Sequence, residues 1–114
     1  MTRTRRALCL FYFFVAVVAL VGTWSQNWTY VPAGPLAGTL AFLKDATITP
    51  AARSITIDIL LFYISAAAWM VLEARRLRIR WVGVYLVFGV LVAISVTFPL
   101  FLAAREMALA ESEK

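Results

Sequence analysis

The sequence predicts an all-α integral membrane protein in which three helices cross the bilayer and a short helix in the first loop lies at its surface. Two features of the composition indicate this class: 63% of the 114 residues are hydrophobic and 15% are charged. Soluble chains carry roughly 45 to 50% apolar and about 25% charged residues, so the composition favours lipid as the solvent. We expect a single membrane domain over residues 1–114, with no separate soluble domain.

The composition also excludes several kinds of active site. The chain contains no histidine and only one cysteine, Cys9. Histidine is the most frequent general base and a usual zinc or haem ligand, and one cysteine cannot form a disulfide or a thiolate cluster within a single chain. We therefore expect no metal and no cofactor. The basic residues lie beside apolar segments, which is typical of membrane orientation rather than of nucleic-acid binding.

The first predicted span covers about residues 7–24, a stretch without any charged residue. About 20 apolar residues, each rising 1.5 Å, cross a hydrocarbon core of roughly 30 Å. Because three arginines precede this segment, a cleavable secretory signal is the alternative interpretation.

Prolines and glycines between residues 26 and 54 interrupt the helical periodicity and indicate the main loop. Within it, apolar positions stand close to Lys44 and Asp45, namely Leu36, Leu40, Phe42 and Leu43. This pattern favours a short helix lying in the membrane interface, and a re-entrant segment is the alternative.

The second and third predicted spans cover residues 55–72 and 81–104. A highly charged segment, residues 73–80, separates them, so the two spans are predicted to be antiparallel neighbours. Trp81 and Tyr85 are placed as aromatic belt residues at the start of the third span.

The distribution of basic residues predicts the orientation of the chain. Three spans place its two termini on opposite sides. The basic residues then divide into Arg3, Arg5, Arg6, Arg75, Arg76, Arg78 and Arg80 on one side and Lys44, Arg53, Arg105 and Lys114 on the other. Because cytoplasmic loops carry the excess of Lys and Arg, we expect a plasma (inner) membrane protein with a cytoplasmic amino terminus and an outside carboxyl terminus.

Asp58 is the polar residue that most needs explanation, because it lies about four residues, or roughly 6 Å, inside the second span. A carboxylate at that depth needs water, a proton or a partner. One interpretation is that Asp58 orients the start of the helix and reaches interfacial water or pairs with Arg53 or Arg105. The other is a ligand-binding or proton-handling carboxylate.

The third span contributes further polar candidates. Ser95, Pro99 and Glu106 recur at helical spacing, and Pro99 leaves the carbonyl of Ser95 without its helical donor, which predicts a bend there. The predicted polar cluster is Asp58, Ser95, Pro99, Arg105 and Glu106. If the protein is an enzyme, Asp58 and Glu106 are its acid and base.

The charged turn has two interpretations. Glu73 among its arginines indicates a salt-bridged, water-exposed hairpin. Alternatively, the arginines contact an anionic lipid headgroup or an acidic partner, and the residues involved are Arg75, Arg76, Arg78 and Arg80.

Three of these features together resemble a known pattern: an Asp in one span, the Glu-x-Arg-Arg of residues 73–76, and the Pro-Leu-Phe-Leu-x-x-Arg-Glu of residues 99–106. The chain resembles the small bacterial three-span membrane proteins of the domain-of-unknown-function 2834 family, over roughly residues 27–109. The resemblance implies a three-span architecture and assigns no reaction.

From the sequence we expect a non-catalytic accessory or interaction subunit that packs against a membrane-protein partner or a second copy of itself, surrounded by membrane lipid. The alternative is a lipid- or isoprenoid-modifying enzyme that uses Asp58 and Glu106. A small transporter is the least favoured class, because the middles of the spans carry no charge.

Overall fold

The computed structural model describes residues 2–113, and this part of the chain is helical with no strand. The helices are α1 (Arg3–Asn27), α2 (Pro35–Asp45), α3 (Pro50–Leu77), α4 (Val82–Phe88) and α5 (Ile94–Ser112), with a 3-10 segment at Trp28–Ala33 and a π-helical segment at Gly89–Ala93. Three stretches are long and apolar enough to cross a membrane, Arg3–Ala33, Pro50–Leu77 and Val82–Ser112. The predicted all-α class of a multi-pass membrane protein is confirmed.

Local capping explains why α1 and α3 are longer than the predicted spans. The side chain of Thr2 accepts a hydrogen bond of 3.1 Å from the backbone N–H of Arg5. Thr49 caps α3 in the same way, with Pro50 as its first residue. A side-chain oxygen satisfies one of the backbone donors left open in the first turn, so both helices start outside their apolar segments.

The predicted loop helix is present as α2, and the region around it is more helical than the sequence indicated. The chain reverses between the 3-10 segment and α2 at Gly34, whose φ of 92° favours glycine. The Tyr30 hydroxyl then donates a 2.6 Å hydrogen bond to the Asp45 carboxylate, which ties the two ends of this reversal together.

The third apolar stretch does not continue in one direction, because α4 and α5 lie antiparallel. The rings of Tyr85 and Phe101 are 5.6 Å apart, whereas residues sixteen positions apart in a continuous helix are separated by about 24 Å. Ala93, at the junction, has an extended backbone with φ 179° and ψ 140°. The chain therefore reverses at Ala93, six residues before Pro99, where the sequence predicted a bend.

Gly89 lies where α4 and α5, the two arms of this hairpin, approach each other closely. A Cβ atom at Gly89 would lie 3.1 Å from the Thr97 hydroxyl oxygen and 3.1 Å from the Tyr63 ring. The opposing side chains occupy this space, so the hairpin packs directly against α3.

Two side chains donate hydrogen bonds to backbone carbonyl groups at or near the reversal. The Trp24 indole N–H donates a 3.0 Å hydrogen bond to the Val92 carbonyl. The Tyr63 hydroxyl donates one of 2.7 Å to the Leu86 carbonyl. Irregular backbone at membrane depth is tolerated only where protein groups or water satisfy it, and these two side chains from α1 and α3 do so.

Helix α5 is the centre of the bundle, with α1 on one side and α3 on another. It is antiparallel to α1, because Arg5 pairs with Glu106 and the Cys9 thiol lies 3.8 Å from the Ala103 carbonyl. It runs parallel to α3, since Arg105 pairs with Glu73. Seven residues of α5 are buried, against one in α1 and four in α3.

These pairings define two ends of the bundle. The arginine end comprises residues 3–6, 73–82 and 105–113, and the loop end comprises residues 24–58. The predicted placement of the two termini on opposite sides is corrected here: Arg5 pairs with Glu106 and Glu113, so both ends of the described chain lie together. The physical reason is the reversal at Ala93, which returns α5 to the end where α4 began.

The hairpin reaches only part of the way along the bundle. Twelve helical residues, the separation of Ala93 from Arg105, rise about 18 Å, against roughly 30 Å for a hydrocarbon core. The fully buried side chains, Met70 and Phe101, lie in the half that the hairpin occupies. Towards the loop end, α1 and α3 therefore continue past the tip of the hairpin.

Candidate functional site

The largest cluster of charged side chains is a network at the arginine end that joins α1, α3 and α5. Glu73 accepts from Arg76 and, at 3.2 Å, from Arg105. Arg105 also lies 3.4 Å from Glu106, whose second oxygen accepts from Arg5 at 2.8 Å. Arg5 extends the network to Glu113. We call these six residues the arginine–carboxylate network.

The two central carboxylates are well shielded from solvent. Glu73 is 8% exposed and Glu106 is 7% exposed. The guanidinium of Arg105, between them, also lies 5.5 Å from the centre of the Trp69 ring, within the range of a cation–π contact. Burying a charge is costly unless it is paired and hydrogen-bonded, and here each carboxylate meets two guanidinium groups.

These ion pairs hold α1, α3 and α5 together. Glu73 and Glu106 are each held between two arginines, so neither carboxylate is presented to an open space where a substrate would meet it. A residue of α5, Arg105, bridges to α3, and its neighbour Glu106 bridges to α1. Between residues 2 and 113, no group of three His, Cys, Asp or Glu side chains is positioned to hold a metal ion.

The structure separates the residues of the predicted polar cluster. Arg105 and Glu106 are in the network, Pro99 is buried in α5 and Ser95 is exposed near the tip of the hairpin. Asp58 lies fifteen residues before Glu73 on α3, a rise of about 22 Å. The predicted cluster is therefore not assembled, and Asp58 and Glu106 are too far apart to act together as an acid and a base.

The predicted ion-pair partners of Asp58 are engaged elsewhere. The Arg53 guanidinium donates a 3.0 Å hydrogen bond to the Thr47 carbonyl, and Arg105 belongs to the network. The Asp58 side chain is exposed, and among residues 2–113 it makes no hydrogen bond or ion pair.

The structure also divides the predicted arginine cluster. Arg76 pairs with Glu73, as the salt-bridged interpretation of the turn expected. Arg75, Arg78 and Arg80 are exposed, and none of them pairs with a carboxylate in the described chain. Arg5, Glu113 and Trp69 were not predicted as members or neighbours of the network, because their proximity depends on the reversal at Ala93.

An open apolar groove of about 470 Å³ lies along α1 near the loop end. Its lining residues are Leu20, Val21, Trp24, Ser25 and Trp28. These residues offer one hydroxyl and the indole groups as polar atoms, so the groove has no constellation of titratable groups for catalysis.

Comparison with known proteins identifies one matching family. The family model described as "Protein of unknown function DUF2834" matches residues 11–107, which include Glu73, Arg76, Arg105 and Glu106 of the network. No curated protein and no solved structure matches the chain. Since the family model covers most of its length, the chain belongs to the DUF2834 family of proteins of unknown function.

Proposed function

We propose that the protein is a non-catalytic membrane subunit that packs one face of α3 against a helix of a membrane-protein partner. The observation that carries this proposal is an exposed face of α3 on which Asp58 lies among serine, alanine and leucine side chains. The residues recur every three or four positions, which places them on one helix face, and all are exposed: Ser54, Asp58, Leu61, Ser65, Ala68 and Leu72. We call this surface the α3 stripe.

Membrane physics favours a protein neighbour for the α3 stripe. Helices in lipid associate where small side chains permit close approach and polar side chains find partners. Asp58 adds a specific need, because an unpaired carboxylate costs about 3 kcal/mol at a span centre, and less near its ends. A donor on a partner helix at this depth would offset that cost.

The engagement of the buried carboxylates supports a non-catalytic role. Glu73 and Glu106 hold helices together, and Asp58 stands roughly 22 Å from Glu73 along α3. The chemistry proposed for the enzyme alternative required Asp58 and Glu106 to share a site.

We further propose that the arginine end faces the cytoplasm of a plasma or inner membrane. Eight arginines lie at the arginine end, Arg3, Arg5, Arg6, Arg75, Arg76, Arg78, Arg80 and Arg105, whereas Lys44 and Arg53 are the basic residues of the loop end. The excess of Lys and Arg marks the cytoplasmic side. Both termini are then inside the cell, and α2 is outside.

Site-directed photo-crosslinking in native membranes tests the partner proposal. A photo-reactive residue at Leu61, in the α3 stripe, is expected to give a discrete protein adduct, because a partner helix covers that face. The control position is Val18, an exposed apolar residue on α1. Asp58→Leu should abolish the Leu61 adduct. A Leu61 variant that gives only lipid adducts, in a protein that migrates alone after gentle solubilisation, contradicts the proposal, and an adduct with a second copy would identify a homo-oligomer.

Cysteine labelling tests the orientation separately. In a Cys9→Ser background, Thr4→Cys, Lys44→Cys and Ser112→Cys are treated with a membrane-impermeant maleimide on intact cells. Only Lys44→Cys should react before permeabilisation. Labelling of Ser112→Cys but not of Thr4→Cys on intact cells would show instead that the two termini lie on opposite sides of the membrane.

A further inference from the structure

The arginines of the arginine end fall into two classes. Arg5, Arg76 and Arg105 are saturated by the carboxylates of the network. The remaining ones are exposed and have no hydrogen-bonded or ion-paired side-chain partner between residues 2 and 113: Arg3, Arg6, Arg75, Arg78 and Arg80. The folded chain therefore leaves an excess of positive charge at one end.

Three of the unpaired arginines belong to one short turn whose backbone is held by a hydrogen bond. The turn between α3 and α4 closes with the N–H of Ile79 donating a 2.9 Å hydrogen bond to the Ala74 carbonyl. Arg78 ends α3 in the left-handed conformation, with φ 55°. Arg75 lies in the last turn of α3, and Arg80 follows two residues after Arg78.

An exposed tryptophan follows these three arginines in the sequence. Trp81 is 73% exposed and has a φ of 67°, which makes it the second left-handed residue of the same turn. Its carbonyl accepts from the N–H groups of Val84 and Tyr85 and so starts α4. Tryptophan is enriched where a polar headgroup layer meets apolar chains, because its ring is apolar and its N–H is polar.

We propose that the turn formed by Arg75, Arg78, Arg80 and Trp81 binds the phosphate headgroup of an anionic phospholipid. Guanidinium groups recognise phosphate oxygens with charge-assisted, paired hydrogen bonds. The turn lies where the apolar helix α4 starts, at the depth at which a lipid presents its phosphate. Trp81 makes a membrane lipid a better fit than an acidic soluble protein, since an exposed indole there meets the headgroup layer.

The sequence suggested four arginines as contacts for an anionic headgroup. The structure excludes Arg76 from this group, because its guanidinium is paired with the Glu73 carboxylate. The inference does not depend on a partner for the α3 stripe. The lipid-binding experiment and the crosslinking experiment can therefore succeed or fail independently of each other.

The test uses the purified full chain in phosphatidylcholine nanodiscs that contain a minor fraction of phosphatidylglycerol. Native mass spectrometry counts the phosphatidylglycerol molecules retained by the protein. Arg78→Gln/Arg80→Gln is compared with Arg3→Gln/Arg6→Gln, which removes the same charge from the same end. General attraction to an anionic surface is the same for both variants. Because a hydrogen bond to a charged group contributes roughly tenfold in affinity, the turn variant should lose at least about tenfold more than the α1 variant.

Three outcomes overturn the proposal. Equal losses in the two double variants would indicate general attraction to a charged surface, and no loss in either would exclude a role for the turn. Displacement of the lipid by inorganic phosphate would show that the site recognises the free anion instead.

Tryptophan fluorescence gives a second readout for the same site. Brominated phosphatidylglycerol should quench the wild-type fluorescence more than brominated phosphatidylcholine does, and Trp81→Phe should remove the difference. Persistence of the difference in Trp81→Phe places the lipid elsewhere and contradicts the proposal. Unchanged thermal unfolding of each variant confirms that it is folded.

Discussion

At the arginine end of the bundle, Glu73 and Glu106 are buried and each meets two guanidinium groups, whereas at the loop end Asp58 is exposed and has no partner in the described chain. The two ends belong to the same helices, so the difference does not come from α1 or α3 themselves. It comes from the hairpin of α4 and α5, which inserts between them at one end only. The chain thus packs its charged groups against one another in one half of the bundle and leaves Asp58 exposed in the other half.

Burial follows the same division. The packed residues Met70, Ala74 and Phe101 lie in the hairpin half. Large apolar side chains remain exposed on the outer faces of both halves, such as Ile57 and Leu60 on α3 towards the loop end and Phe14 on α1 beside the hairpin. In lipid, exposure of apolar side chains carries no hydrophobic cost, so the loop end can stay open in a way that a soluble protein could not tolerate.

The largest expected effect compares a charge at each end. Arg105→Ala should lower the free energy of unfolding by about 2–3 kcal/mol, because it leaves two buried carboxylates with one guanidinium each and removes the contact with Trp69. Asp58→Ala should change it by less than about 0.5 kcal/mol, since it removes no intramolecular contact. Unfolding by denaturing detergent, followed by circular dichroism, measures both. Equal effects of the two substitutions would show that the network does not stabilise the arginine end.

A smaller effect is expected from glycine substitutions on either side of the hairpin tip. Gly89→Ala should destabilise by about 1 kcal/mol or more, because the new methyl group would crowd Thr97 and Tyr63. Gly22→Ala, in the part of α1 where no atom lies within 4 Å of the new Cβ, should stabilise by about 0.5 kcal/mol through its better helix propensity. The same unfolding assay checks the pair. A stabilising Gly89→Ala would mean that α4 and α5 do not approach closely, and the reversal would then be in doubt.

The smallest pair of effects concerns two hydroxyl groups at the tip. Tyr63→Phe should cost about 1 kcal/mol, because the Leu86 carbonyl loses its side-chain donor. Thr97→Val should be neutral or slightly stabilising, because the Thr97 hydroxyl is buried without a hydrogen-bond partner in the described structure. Hydrogen exchange at the amides of residues 86–93 reports the local opening that Tyr63→Phe should promote. Identical exchange in the two variants would show that the Tyr63 hydrogen bond does not hold the tip.

The sequence predicted the elements that depend on local physics. Apolar length predicted the helices, the glycine and proline residues predicted the loop, and the turn at Arg78 followed from a dense run of charge. Helix boundaries were underestimated by several residues at the capped ends, since Thr2 and Thr49 extend α1 and α3 into polar sequence. The pairing of Glu73 with Arg76 was also local, at three positions' separation on one helix.

The path of the third apolar stretch was not predictable in the same way. Its length and hydropathy suit one crossing, and Pro99 suggested a bend six residues from the true reversal at Ala93. The reversal is stabilised by groups remote in sequence, namely Trp24, Tyr63 and the space at Gly89. A local pattern cannot reveal such contacts, so the position of the carboxyl-terminal end of α5 beside the start of α1 was not predicted.

What the sequence alone determined is that the chain belongs in lipid, that its helices are long enough to cross it, and that its positive charge is concentrated near certain helix ends. Each of these properties depends on residues that are close together in the sequence. They are therefore the same whichever way the chain folds back. The tertiary structure decided which charges meet: Arg5 pairs with Glu106, 101 residues away, while Asp58 has no partner among residues 2–113. That outcome depends on one extended residue, Ala93, because reversing the direction of α5 exchanges the end of the bundle at which its charges lie.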